Sequence, residues 1–220
     1  MHGSNRLGGN SLSDLLVFGK RAGEHASSYV DALAKRPKVA TADVEAALDV
    51  ALAPLNRQSG ENPYTLQQDL QAVMGDLVGI IRRAGELTDA LKRLQELKAR
   101  VANVGATGGR RYNPGWHLAL DLRNMMVVSE CTAKAALERE ESRGGHTRED
   151  FPAMSPDWRR VNLVCSLEKS GDVHLEHKPV PTMRGELISL FERTELSKYL
   201  TDDELTSFDA LAENSKTEAK

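Results

Sequence analysis

At 220 residues with 40% apolar side chains, the chain is long enough for one large or two small domains with a real core, and its composition excludes intrinsic disorder. A net charge of −3, with Lys and Arg interleaved among Asp and Glu, argues against nucleic acid as a partner. No apolar run approaches the roughly 20 residues that span a bilayer, and no basic segment leads into an apolar stretch at the N-terminus. The reading is a soluble chain that reaches a membrane only through partners.

The first informative segment is Asn5-Arg6-Leu7-Gly8-Gly9-Asn10-Ser11-Leu12. Gly8 and Gly9 lack Cβ atoms, so the backbone there can lie close against a ligand. From Ser11 the apolar residues Leu12, Leu15, Leu16, Ala22, Ala26, Val30 and Leu33 recur at helical spacing, so a helix starts where the glycines end, with Ser11 as an ordinary N-cap. Its free N–H groups and positive dipole end suit an anion or an electron-rich ring. Thr41 and Asp43 open a second helix through Val44, Leu48, Ala51 and Leu52 that ends at Pro54.

Asn62-Pro63 starts a stripe of Leu66, Leu70, Val73, Leu77, Val78 and Ile81. Gly85 bends or interrupts it before Leu87, Leu91, Leu94, Leu97 and Val101. After a Gly105 to Gly115 loop, Trp116, Leu120, Met125, Val128, Cys131, Ala135 and Leu137 write another long helix. Residues 56–142 therefore read as an antiparallel bundle of about three helices. Beyond Pro156, Val161, Leu163, Cys165 and Leu167 alternate with polar residues, Lys169-Ser170-Gly171-Asp172 supplies a turn, and Val173, Leu175 and His177 alternate again, which predicts a β-hairpin closed by Pro179 and Pro181. One short helix is expected over Glu186 to Tyr199 and another after the capping box Thr201-x-x-Glu204, with residues 213–220 a frayed polar tail. The fold class is mainly α: a bundle preceded by one helix and followed by a hairpin and short helices.

Cys131 and Cys165 lack metal-ligand spacing and read as buried free thiols in a reducing compartment, with a disulfide left open. Among the histidines, His25, His117, His174 and His177 have no metal spacing, and His174 and His177 point to opposite faces of a strand. No metal is expected.

The Asn5 to Leu12 segment, with His2-Gly3 before it, resembles the end of the flavin-binding domain of succinate dehydrogenase and fumarate reductase flavoprotein subunits. The run Glu141-Ser142-Arg143-Gly144-Gly145-His146-Thr147-Arg148-Glu149-Asp150-Phe151-Pro152 resembles the arginine-glycine-histidine loop of the same subunits. The likeness covers nearly the whole chain and is weakest after Thr182. It implies a C-terminal portion: residues 1–55 ending an FAD-binding domain, 56–142 a helical domain, 143–220 loop, hairpin, short helices and tail. Nothing here matches the Gly-x-Gly-x-x-Gly turn of the preceding dinucleotide-binding region, so the chain alone is expected to be inactive.

By that resemblance Arg6 clamps a carboxylate of succinate or fumarate, a task for which a planar guanidinium donating two parallel hydrogen bonds is well suited. Ser11 and Leu12 match the flavin-contacting pair, and His2, Asn10, Arg143, His146 and Arg148 are secondary candidates, the last three bracing the flavin domain. FAD is the implied cofactor, an iron–sulfur subunit the implied partner, and the cytoplasmic face of the plasma membrane the implied location. Two other readings stand beside this one: a non-catalytic helical interaction module, and a sister flavoprotein such as L-aspartate oxidase.

Overall fold

The computed structural model describes residues 8–188 and 190–218. Along these the chain forms α1 (Asn10–Asp31), α2 (Thr41–Asn56), α3 (Pro63–Leu77), β1 (Ile81–Arg82), α4 (Ala84–Val101), α5 (Pro114–Glu138), β2 (Thr147–Arg148), α6 (Pro156–Arg159), β3 (Val161–Leu167), β4 (Val173–Pro179), α7 (Gly185–Ile188), α8 (Arg193–Leu196) and α9 (Asp202–Glu218). The fold is mainly α with one antiparallel hairpin, as the sequence implies. Two compact units emerge, one from the chain up to Ala72 with Gln95–Met126, the other from Val73–Leu94 with the chain from Val127 on. The long helices α3, α4 and α5 each give one part to each unit.

The first unit buries Leu66, Leu70, Leu97, Val101, Val104, Ala119, Leu122 and Met126. Its helix starts follow from local chemistry. Asn62 Oδ1 accepts from the Tyr64 N–H at 2.9 Å with Pro63 behind it, and Asn113 Oδ1 accepts from the Trp116 N–H at 3.0 Å, so α5 begins at Pro114. Helix α2 runs through Pro54 to Asn56 instead of stopping there. Proline removes one N–H from the ladder, and neighbours serve the carbonyls around it: the Trp116 indole donates to Ala51 O at 2.7 Å and the Ala106 N–H to Pro54 O at 2.8 Å. Arg100 binds both oxygens of Glu61 and one of Asp69, joining the residues beside and within α3 to α4. These groups are partly exposed, so the pairs contribute modestly.

In the second unit Val73, Val78, Leu87, Ala90, Leu94, Ala133 and Ala136 are buried. The expected break at Gly85 lies earlier: α3 ends at Leu77, β1 follows, and Gly85 sits in the first turn of α4. Ile81, assigned to the stripe, is 63% exposed because β1 pairs in parallel with β2 (Ile81 with Thr147, Arg82 with Arg148) instead of continuing the helix. The buried face of α5 is also rotated from the apolar stripe of the sequence, with Ala119, Leu122, Met126, Ala133 and Ala136 inward and Val128 64% exposed. Small alanines allow close helix approach where larger side chains would not fit.

The hairpin forms as expected, and its register sets Val161 opposite Pro179 and Leu167 opposite Val173, with Gly171 at φ +88° in the turn. The Glu186–Tyr199 segment divides into the single turns α7 and α8. The capping box is present, Thr201 N–H donating to Glu204 Oε2 at 3.0 Å and Glu204 N–H to Thr201 Oγ1 at 3.4 Å. The helix it opens, α9, continues to Glu218, so residues 213–218 are helical and not a frayed tail.

Gly60 and Gly105 approach backbone to backbone: a Cβ on Gly60 would stand 2.4 Å from Gly105 Cα, whereas one on Gly75 in α3 meets nothing within 4 Å. Gly60→Ala is therefore expected to lower the urea unfolding free energy by about 2 kcal/mol, and Gly75→Ala to raise it by about 0.5–1 kcal/mol through helix propensity. Equal effects from the two substitutions would contradict this packing.

Candidate functional site

The residues from Arg139 to Asp150 form the densest polar cluster of the second unit, and it grows from the end of α5. A helix ends with carbonyls that have no partner in its own ladder. Here Arg148, 1% exposed, supplies the donors: its Nη1 donates to Ala136 O at 2.8 Å, Leu137 O at 2.9 Å and Arg139 O at 3.3 Å. Its other edge grips Asp150, Nε to Oδ1 and Nη2 to Oδ2, both at 2.8 Å. Asp150 Oδ2 also accepts from the N–H of Ala84, the first residue of α4, at 3.0 Å. One ion pair thus serves the negative end of α5 and the positive end of α4. The Arg148 hydrogen bond and the Ala84 N–H hold the Asp150 carboxyl well below the ordinary carboxylate range against a smaller opposing effect of burial.

Glu141 is the second anchor, with its side chain fully buried. Burial pushes its pKa up, but hydrogen bonds from Arg143, the Ser155 N–H and Arg139 outweigh that and hold it below the ordinary value. Arg139 Nη1 reaches Glu141 Oε1 at 2.7 Å and Trp158 O at 3.0 Å, its Nη2 reaches Val161 O at 2.8 Å, and its guanidinium lies 5.2 Å from the Trp158 ring centre. Arg143 donates to both Glu141 oxygens and to Ser155 O. Between Arg143 and His146 the chain turns tightly, each N–H donating to the other's carbonyl, at 2.8 and 3.0 Å, with Gly144 at φ +59°. That conformation favours glycine.

The protonation of His146 follows from its neighbours. Arg82 Nη1 stands 3.0 Å from Nδ1, and a guanidinium can only donate, so Nδ1 carries the lone pair and Nε2–H donates to Arg139 O at 3.1 Å. Burial first, then the charges of Arg82, Arg148 and Arg139, push the imidazole below its ordinary 6.5, with only the Arg139 carbonyl pulling the other way. Arg82 also donates through Nε to Val78 O and Gly79 O. The loop's polar groups are thus turned inward on one another, and the arrangement holds α4, α5 and the α6–β3 entrance together.

Of the residues singled out from sequence, Arg143, His146 and Arg148 lie together in this cluster, while His2 and Arg6 lie outside the described residues. Asn10, Ser11 and Leu12 form the first turn of α1 in the first unit. Gly9, not Ser11, is at the cap position, and no side chain caps the turn; the Ser13 hydroxyl donates instead to Gly9 O at 2.9 Å. Leu12 is 73% exposed, and a Cβ at Gly8 or Gly9 would meet nothing within 4 Å. Sequence reasoning passed over Arg82, Arg139, Glu141 and Asp150. Two of these, Glu141 and Asp150, stood inside the quoted motif, and the signal that could have found them is the count of acceptors that three loop cations require. Arg82, far away in sequence, gave no such signal.

A family model described as fumarate reductase flavoprotein C-term matches residues 67–195. The chain belongs to this fumarate reductase and succinate dehydrogenase flavoprotein family. A solved structure of the Mycobacterium smegmatis Sdh1 complex in the apo form superposes with a TM-score of 0.84 at 57% identity, over 93% of this chain and 35% of that one. An uncharacterized FAD-dependent oxidoreductase of Methanocaldococcus jannaschii is 39% identical over 77% of this chain and 30% of its own length. The succinate dehydrogenase flavoprotein subunit of Coxiella burnetii is 34% identical over 82% of this chain and 30% of its own. This chain spans about a third of the length of these relatives. The Arg139–Asp150 cluster lies inside the matched family region; the Asn5 to Leu12 segment lies before it.

Because His146 is neutral in the folded chain and titrates lower there than when unfolded, its stabilising contribution is full above pH 6.5 and is lost as the pH falls through and below that value. His146→Leu removes both the acceptor for Arg82 and the donor to Arg139 O, so it should cost about 1–2 kcal/mol at pH 7.5. The stability gap between wild type and variant, followed by urea unfolding, should narrow toward pH 5. A gap that does not change with pH would contradict the tautomer assigned here.

Proposed function

We propose that this chain is the C-terminal part of a succinate dehydrogenase or fumarate reductase flavoprotein subunit, and that the intact subunit interconverts succinate and fumarate with FAD and passes electrons to an iron–sulfur subunit. The observation that carries this reading, beside the family, is α1. It has 22 residues and buries none of them: Leu15, Leu16, Phe18 and Val30 are between 44% and 75% exposed. An apolar surface of that length on an uncapped helix suits a domain interior, and the nucleotide-binding sheet of the remaining two thirds of the subunit is the surface that would cover it. No helix of the described residues is long and apolar enough to cross a membrane, so attachment at the cytoplasmic face of the plasma membrane would come through other subunits.

The residues present fit a flavin. With Gly8 and Gly9 open and no side-chain cap on α1, the first-turn N–H groups of Asn10, Ser11 and Leu12 can face the electron-rich pyrimidine edge of the ring. FAD, when bound, supplies the two-electron acceptor. Arg6 holds one carboxylate of the dicarboxylate through a bidentate pair and so fixes the orientation of the C–H bond to be broken. The Arg143 to Arg148 loop acts at a distance, by holding the helical region in shape.

The chain co-expressed with the flavin-binding portion of the Mycobacterium smegmatis relative should yield a yellow complex that reduces dye with succinate, while the chain alone stays colourless. In that complex Arg6→Ala should keep the flavin band and lower kcat/KM on the order of 100-fold or more, and Arg6→Lys should fail too because a point charge lacks the fork. Wild-type kinetics in Arg6→Ala, or a preference for L-aspartate over succinate, would overturn the assignment.

A further inference from the structure

One face of α5 is devoted to the β3–β4 hairpin. Lys134 Nζ donates to Val173 O at 2.8 Å, Glu138 Oε1 meets His177 Nε2 at 2.9 Å, and Arg139 Nη2 reaches Val161 O at 2.8 Å. Cys131, one turn before Lys134 on the same helix, is seated by these contacts against Cys165 in the middle of β3. The Cys165 thiol lies 4.0 Å from Cys131 O, so the two cysteines are neighbours across the contact of α5 with the hairpin. Both are free and half-buried, and they are the chain's only two cysteines. Three polar contacts that fix the hairpin on either side of the sulfurs give one thiol a high effective concentration at the other.

We infer that Cys131 and Cys165 are a reversible disulfide site that locks the β3–β4 hairpin onto α5 when a low-molecular-weight disulfide acts as oxidant. The thiolate of one cysteine attacks a sulfur of the reagent, breaks its S–S bond and releases one small thiolate, leaving a mixed disulfide on the protein. The second cysteine's sulfur then attacks the protein-side sulfur of that bond, forms Cys131–Cys165 and releases the second small thiolate. The two protein thiols are oxidised by two electrons, the reagent is reduced by two, and the two thiol protons end on the released thiolates. Burial and the neighbouring Cys165 push the Cys131 thiol up, so the site is slow to react at neutral pH and faster in mild base. A bond between residues 34 apart in sequence shortens the accessible unfolded chain and stabilises the fold.

The test is incubation of the full chain with oxidised glutathione at pH 8, followed by intact mass, peptide mapping and a thermal melt. The expected product is a monomer lighter by two hydrogen atoms, with both free thiols lost, the Cys131 and Cys165 peptides joined, and an apparent Tm raised on the order of 5 °C. Dithiothreitol should reverse all of it. Cys131→Ser and Cys165→Ser should each take up one glutathione and show neither the mass loss nor the rise in Tm. Glutathione retained on both cysteines of the wild type, disulfide-linked dimers as the main product, or a joined product with a lower Tm would overturn the inference.

Discussion

The Arg148–Asp150 pair is the contact on which the second unit most depends. A guanidinium that is almost wholly buried would be costly if left without acceptors, and in this position every edge is used. One side takes the carbonyls that end α5, the other takes the carboxylate that caps α4. Helix α4 begins at Ala84 and α5 ends at Glu138, 54 residues later, and a single motif of three residues serves both ends. Glu149 between them adds its own N–H to Arg82 O at 2.9 Å, which extends the β1–β2 pairing by one hydrogen bond. Removing Arg148 leaves the Asp150 carboxylate and three carbonyls at the end of α5 without their donor, and removing Asp150 leaves the buried guanidinium and the Ala84 N–H without their acceptor.

That arrangement changes what an arginine-glycine-histidine loop signifies. Read as residue types, two arginines and a histidine beside paired glycines suggest ligand chemistry. Read as geometry, Gly144 permits the tight turn, Arg143 is spent on Glu141, His146 is fixed in one tautomer by Arg82, and Arg148 is spent on Asp150 and α5. The groups are consumed by the fold. The segment without a side-chain cap and with open apolar surface is instead α1. The polar groups of the loop are satisfied within the fold, whereas the apolar side chains of α1 are left exposed.

Much of this was legible in the sequence where one local rule acted without competition. Asn62-Pro63 started α3, the alternation from Val161 and Val173 gave the hairpin, and Thr201-x-x-Glu204 capped α9. The misreadings came where a tertiary contact overrode the local rule. Pro54 did not end α2, because Trp116 and Ala106 serve the carbonyls near it. Gly85 did not break the α3–α4 stripe, because the chain leaves the helix earlier to pair β1 with β2. The inward face of α5 is lined by alanines, which a stripe of the largest apolar residues overlooks. The roles of Arg82, Glu141 and Asp150 depend on partners brought from other elements, and no spacing rule reports those.

The central claim, that Arg148 and Asp150 act as one clasp between the ends of α5 and α4, is tested most directly by a double-mutant cycle with Arg148→Met and Asp150→Leu, read by urea unfolding of the full chain. Each single substitution is expected to cost about 3–5 kcal/mol, and the double variant less than the sum by about 2 kcal/mol or more, because Asp150→Leu leaves the buried guanidinium without its partner and Arg148→Met leaves the carboxylate without its own. Effects that add to within about 0.5 kcal/mol would contradict it and make the two residues independent supports of two helices.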